Sequence, residues 1–283
     1  MNNWYVILLA VVVILAITVL LYFALFDDEV SPVQRIRHTR GDYINDQTAV
    51  IVHSIKEIKD SAKAYQLFAE YIFTNHKQFL SFVEIGIRSI HDAYFSSRHD
   101  ELRDDISRVN AMKVELKDQV QTQQECLDSI DPAYYIETAA WINIANNTRF
   151  DINKSMRRIA EVCLTYDENY TSRFPDDYSQ LFKGMVDDIC EICDESKQLI
   201  ESADEAGMRS LRKRINVVMS KAYDDTSRLY ALIHDGRNNI ESDRKFELRY
   251  ALNVIQESYC IIYSLRRLLL CDLCITASRK HQY

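Results

Sequence analysis

Glycine and proline are scarce, at 5 and 3 of 283 residues. Sandwiches and barrels of short strands need a turn roughly every 8–12 residues, and turns draw on Gly and Pro. So little turn chemistry excludes a multi-stranded fold. Positive charge is also short: 34 Lys and Arg stand against 42 Asp and Glu, a net charge of −8. A nucleic-acid partner would require a basic patch or stripe, so none is expected. The seven histidines form no H-E-x-x-H pattern, and there is no phosphate-cradling Gly loop or nucleophile elbow. The chain is therefore not expected to be an enzyme or to carry a cofactor. The seven cysteines are odd in number and scattered, unlike a disulfide framework.

Long apolar runs are missing as well, with one exception. Trp4–Phe26 is 23 residues without a charge. As a helix it would span about 34 Å, against a hydrocarbon core of roughly 30 Å. A cleaved signal peptide would want a basic start, a shorter apolar core and small residues at its end. Met1-Asn2-Asn3 has no basic residue, and the run ends on bulky Tyr22, Phe23, Leu25 and Phe26. Trp4, Tyr5 and Tyr22 sit where interfacial aromatic belts belong. Residues 4–26 are therefore expected to be a retained single span in the lipid bilayer. Arg35, Arg37 and Arg40 follow it closely, so the positive-inside rule puts residues 1–3 outside and the body in the cytoplasm at an inner membrane. Residues 27–42, with Pro32 and Gly41, read as a juxtamembrane linker.

The rest reads as all-α. A leading amphipathic helix is expected within 43–75, where Val52, Ile55, Ile58, Ala62, Tyr65 and Ala69 fall at steps of three and four. Further helices are expected at 76–96, 99–129, 132–167, 177–202, 205–235 and 243–276, before a polar tail at 277–283. Asp131-Pro132 reads as N-cap and first helical position; Asp204 and Ser242 suit N-caps and Gly236 a C-cap. Within 205–235, Met208, Leu211, Ile215, Val218, Ala222, Asp225, Leu229 and Leu232 form a bundle seam broken only by Asp225.

The chain echoes itself. Residues 79–109 and 181–215 each hold an amphipathic helix with one glycine (Gly86, Gly184), an acidic break (Asp100-Glu101, Asp204-Glu205) and a second amphipathic helix. "SMRRI" (155–159) is answered by "SLRRL" (264–268). Two tandem three-helix units, about 76–167 and 177–276, follow from this order, with short connections favouring antiparallel neighbours.

This order, together with "ETAAWINIANNTRFDINKSMRRIAEV" (137–162), resembles the PhoU family of helical phosphate-transport regulators, whose relatives also form cytoplasmic tails of PiT-type and sodium–phosphate carriers. The resemblance implies a PhoU-like bundle over 76–276 and a role in phosphate transport. Family members carry metal clusters on E-x-x-x-D motifs. Here the corresponding stretches are Asn147-Thr148-Arg149-Phe150-Asp151 and Gln256-Glu257-Ser258-Tyr259-Cys260, without the acidic pair.

Several side chains stand out. Asn143, Asn146, Asn147, Thr148 and Asn153 crowd poor helix formers into one helix, which points to buried hydrogen bonding, a partner surface or a solvated face. Asn143, Asn147 and Asp151, with Asp225 on its apolar seam, are the candidate partner or polar-network positions. Cys190-x-x-Cys193 and Cys271-x-x-Cys274 have zinc spacing, but both lie inside helices with a level mismatch of roughly 12 Å. They read as small core hydrophobes. The doublets Asp104-Asp105, Asp187-Asp188 and Asp224-Asp225 offer oxygen ligands for a divalent ion, or simply solvated faces.

One span cannot make a transport path. The expected function is a membrane-tethered cytoplasmic domain that regulates or assists phosphate transport, or the tail of a permease, with a membrane protein such as a phosphate carrier as partner; self-association into an oligomer is compatible with it. The other reading is a membrane-anchored helical scaffold or signalling module. The three arginines make orientation testable: a reporter fused after Tyr283 should be active as a cytoplasmic reporter and silent as a periplasmic one.

Overall fold

Residues 46–170, 173–234 and 242–280 are described by a computed structural model. They form α1 (Asp46–Glu57), α2 (Ser61–Phe95), α3 (His99–Leu127), a 3-10 turn (Pro132–Tyr134), α4 (Ile136–Asn169), α5 (Asp176–Glu201), α6 (Glu205–His234) and α7 (Ser242–Lys280). The protein is all-α, with no strand among the described residues. The expected span at 4–26, the linker and Gly236 lie outside them. Among the described helices, none is long and apolar enough to cross a membrane.

The expected leading helix is two helices. The first ends at Glu57, and Asp60 caps the second, its carboxylate accepting from the Ala62 and Lys63 amides at 3.1 and 3.3 Å. α2 then runs unbroken through Asn75 and His76, where the sequence reading set a boundary. Both residues lie inside the protein, 1% and 0% exposed. They belong to a stripe that continues through Tyr65, Phe68, Ile72, Phe79, Val83, Ile87 and Ile90, all buried. Steps of three and four put these on one face, and each large apolar side chain so buried stabilises by roughly 1.5–3 kcal/mol. At Asp131-Pro132 the carboxylate accepts from the Ala133 amide at 2.9 Å, but the turn it starts is 3-10 and α4 begins only at Ile136.

Helices α2, α3 and α4 pack on one another, and so do α5, α6 and α7, while α1 lies on α2 and α3. The two triplets meet most extensively along α4 and α7 and again along α2 and α5. Both contacts are antiparallel. Asp151 faces Arg267 at 4.0 Å while Arg158 reaches Glu257 at 2.8 Å. Likewise Lys197 bonds Glu84 at 2.7 Å and the His91 ring meets Phe182 at 5.4 Å. Helices α2, α4, α5 and α7 thus form the inner layer, with α3 and α6 outside.

The internal echo has a backbone counterpart. Ser97 and Ala203 both have positive φ, 54° and 49°. After α2 the Arg98 amide bonds the Ala93 carbonyl and the Ser97 amide that of Tyr94; after α5 the Asp204 amide bonds that of Leu199 and the Ala203 amide that of Ile200. Both are Schellman endings in the same place of each triplet, and both use a residue other than glycine at the left-handed position. The two glycines of the echo are not equivalent. A Cβ on Gly86 would meet Met156 Cε at 2.6 Å, so α2 and α4 touch there, whereas Gly184 faces open space.

Ala203 is exposed and loses no packing if changed. A left-handed L-residue costs about 1–2 kcal/mol, and the looser unfolded state of glycine takes back roughly 0.4–1. Ala203→Gly should therefore stabilise the protein by roughly 0.5–1 kcal/mol, seen as a higher urea midpoint without a change in slope.

Candidate functional site: a polar network inside the bundle

Among the described residues, Arg149 is the largest fully buried side chain. On α4 it shares a stripe with Asn146 and Asn153, at steps of three and four. Its Nη1 donates to Gln119 Oε1 and its Nη2 to Asn146 Oδ1, both at 2.6 Å. Asn146 Nδ2 donates onward to Gln123 Oε1 at 2.7 Å, and Gln119 Nε2 to Glu115 Oε1 at 3.1 Å. Asn153 Nδ2 donates to the Val109 carbonyl at 3.0 Å. Facing stripes of α3 and α4 thus satisfy each other.

Among the described residues, Arg149 has no carboxylate at ion-pair distance. Burial pushes its pKa down to about 10, opposed by Tyr71, Asp272 and Glu115. A buried cation without an ion pair costs several kcal/mol, and here neutral amide oxygens carry the compensation. Burial also pushes the Tyr71 hydroxyl up, against hydrogen bonds with Asn75 and Thr122.

A separate buried polar pair joins the triplets, His76 on α2 and Asp272 on α7. His76 Nδ1 and Asp272 Oδ1 are 2.5 Å apart, each side chain 1% exposed. His76 Nε2, Asn75 Nδ2, Gln123 Nε2, Arg149 Nε and Asn153 Oδ1 are buried atoms without a protein partner. A burial of this kind is unusual, since about nine in ten buried polar groups are bonded. These bonds tie α3 to α4 and, separately, α2 to α7.

Only part of the asparagine run enters this site. Asn143, Asn147 and Asp151 are exposed on the opposite side of α4. Asp225 is half-buried on α6, 3.7 Å from Arg228 of its own helix. These four do not come together. The buried members are Asn146, Thr148 and Asn153. Sequence reasoning missed Arg149, His76, Asp272, Gln119 and Gln123. The step Asn146–Arg149–Asn153 carried the signal.

The metal candidates disperse. Cys190, Cys193 and Cys271 are buried, Cys274 is half-buried, and all are free thiols. Cys190 Sγ donates to the Glu84 carbonyl at 3.7 Å, and burial pushes Cys271 up to about 12. Among the described residues no group of three or more His, Cys, Asp or Glu is placed to hold a metal ion. Of the acidic doublets, Asp105 is 2% exposed and bonded by Arg108 and by Ser89 at 3.1 Å. Its pKa is raised by that burial. At the two stretches aligned with the E-x-x-x-D motif, Asn147 and Gln256 are exposed, and Glu257 accepts from Ser155 at 2.7 Å as well as from Arg158.

Arg149→Met should cost about 2–4 kcal/mol, because Gln119 and Asn146 keep buried acceptors without a donor. Adding Gln119→Leu, Asn146→Leu and Gln123→Leu should restore part of it, since the two stranded acceptors and the Gln123 oxygen that Asn146 bonds are then gone together. Urea denaturation of the single and the combined variants measures both.

Compared with known proteins, the chain matches no family model, no curated protein and no solved structure.

Proposed function

We propose that this chain is a membrane-tethered helical domain that regulates or assists inorganic phosphate transport through contact with a membrane protein partner. The observation that carries the reading is the tandem repeat. Two helix triplets with matching endings at Ser97 and Ala203 pack along α4–α7 and α2–α5, and two tandem three-helix units are what the PhoU-like resemblance implies. The apolar stretch 4–26 supplies the tether and the body lies on the cytoplasmic side. Tethering raises the concentration of the body beside a membrane partner without any new contact.

The working surface is a helix face rather than a metal cluster. Asn147 and Gln256 stand where the family's motif has acidic residues, and Glu257 is engaged by Ser155 and Arg158. That same departure favours a second reading, a membrane-anchored helical scaffold unrelated to phosphate.

Capture of the full chain from membranes, paired with phosphate uptake in a deletion strain, separates the two. Recovery of a phosphate carrier and altered uptake are expected. Unchanged uptake at high and low phosphate, with no carrier recovered, would leave the scaffold reading.

A further inference from the structure

The two triplets differ sharply in charge at two pairs of equivalent positions. In the first, Arg157 of "SMRRI" lies 3.4 Å from Glu161, one turn further along α4. In the second, Arg266 of "SLRRL" holds the place of Arg157, and the residue one turn further is Leu270. The burial of the two motifs agrees position by position at Ser155/Ser264, Met156/Leu265, Arg157/Arg266 and Ile159/Leu268. On the outer helices, the eighth residue of α3 is Ile106, packed against the core, and the eighth of α6 is Arg212. The second triplet has therefore lost a carboxylate and gained a guanidinium in the same neighbourhood.

Arg212 and Arg266 stand level with each other. Arg212 lies 22 residues before His234 at the end of α6, and Arg266 lies 24 residues after Ser242 at the start of α7. These helices pack on one another. Both arginines are half-buried, and the Nε of each is a buried donor without a protein partner. Among the described residues neither takes part in an ion pair. The titratable groups that act on Arg212 are Arg266, Cys271 and Cys274; burial and the Arg266 charge both press its pKa down. Both thiols are pushed up by burial, so they stay neutral near pH 7 and supply no negative charge.

Two half-buried guanidiniums at one level of packed helices, each within reach of the other's charge, repel each other and keep unspent donors. Each presents a planar fork that bonds two oxygens of one oxyanion, and together their charge matches a dianion. We propose that Arg212 and Arg266 form a binding site, between α6 and α7, for a doubly charged tetrahedral oxyanion of the phosphate class. Inorganic phosphate and the phosphomonoester headgroup of a lipid share this chemistry. The proposal goes beyond the transport reading and stands without it.

The test uses the full chain in nanodiscs of phosphatidylcholine, with helical circular dichroism followed on heating. Inorganic phosphate at constant ionic strength should raise the midpoint saturably, by roughly 5–10 °C at a hundredfold excess over its Kd, with chloride inert. Arg212→Gln and Arg266→Gln should each abolish the rise. In phosphate-free buffer these variants should melt above the parent, because a repulsion is gone; a merely structural pair would melt below it. Arg212→Lys keeps the charge and the fold but loses the fork, and should weaken binding about tenfold. Nanodiscs containing phosphatidic acid identify the source: a rise there without one from inorganic phosphate assigns the site to a lipid headgroup. No rise from either, or an undiminished rise in Arg212→Gln/Arg266→Gln, overturns the proposal.

Discussion

Along the line where α4 and α7 lie antiparallel, each helix buries its apolar stripe against the other triplet. Ile152, Met156, Ile159 and Cys163 on α4, and Ile255, Ile262, Leu265 and Leu269 on α7, are all buried. Its polar edge is closed by Ser155 and Arg158 on Glu257 and by Asp151 facing Arg267. Neither triplet could leave such a stripe in water, since burial of apolar area is the dominant favourable contribution to folding. The positions of α2 and α5 beside it, and of α3 and α6 outside, follow from that one packing constraint.

Close to this seam the protein accepts a cost. Arg149 is buried without an ion pair, and His76 and Asp272 sit opposite each other with almost no exposure. An apolar core of the same volume is often as stable or more so. What a polar network adds is selectivity among registers: a helix shifted by one turn would strand several donors and acceptors together. His76–Asp272 matters most here, because it is a bond between the triplets rather than within one.

The two triplets share their endings and their motif at "SMRRI" and "SLRRL", yet their interiors have diverged. The first holds Arg149 deep inside, with both terminal nitrogens bonded to Gln119 and Asn146 and only Nε left over. The second leaves Arg212 and Arg266 half-buried with spare donors. One half is specialised for internal register and the other presents unspent hydrogen-bonding capacity near its surface.

By itself the sequence determined the all-α class and the starts and ends of most helices. These rest on local effects: capping at Asp204, whose carboxylate accepts from the Gly207 amide at 3.0 Å, and apolar spacing such as Met208–Leu211–Ile215, all buried. The reading failed at Asn75-His76, because a polar pair in an apolar stripe looks like a break when its partner is 196 residues away. The asparagine run divides between interior and surface, since a 3.6-residue turn sends Asn146 inward and Asn147 outward one position apart. Where Arg149 points, which carboxylate meets His76 and which arginines are left unpaired were decided only by the tertiary structure. Burial and pairing are properties of facing helices, and no single helix contains the information about what it faces.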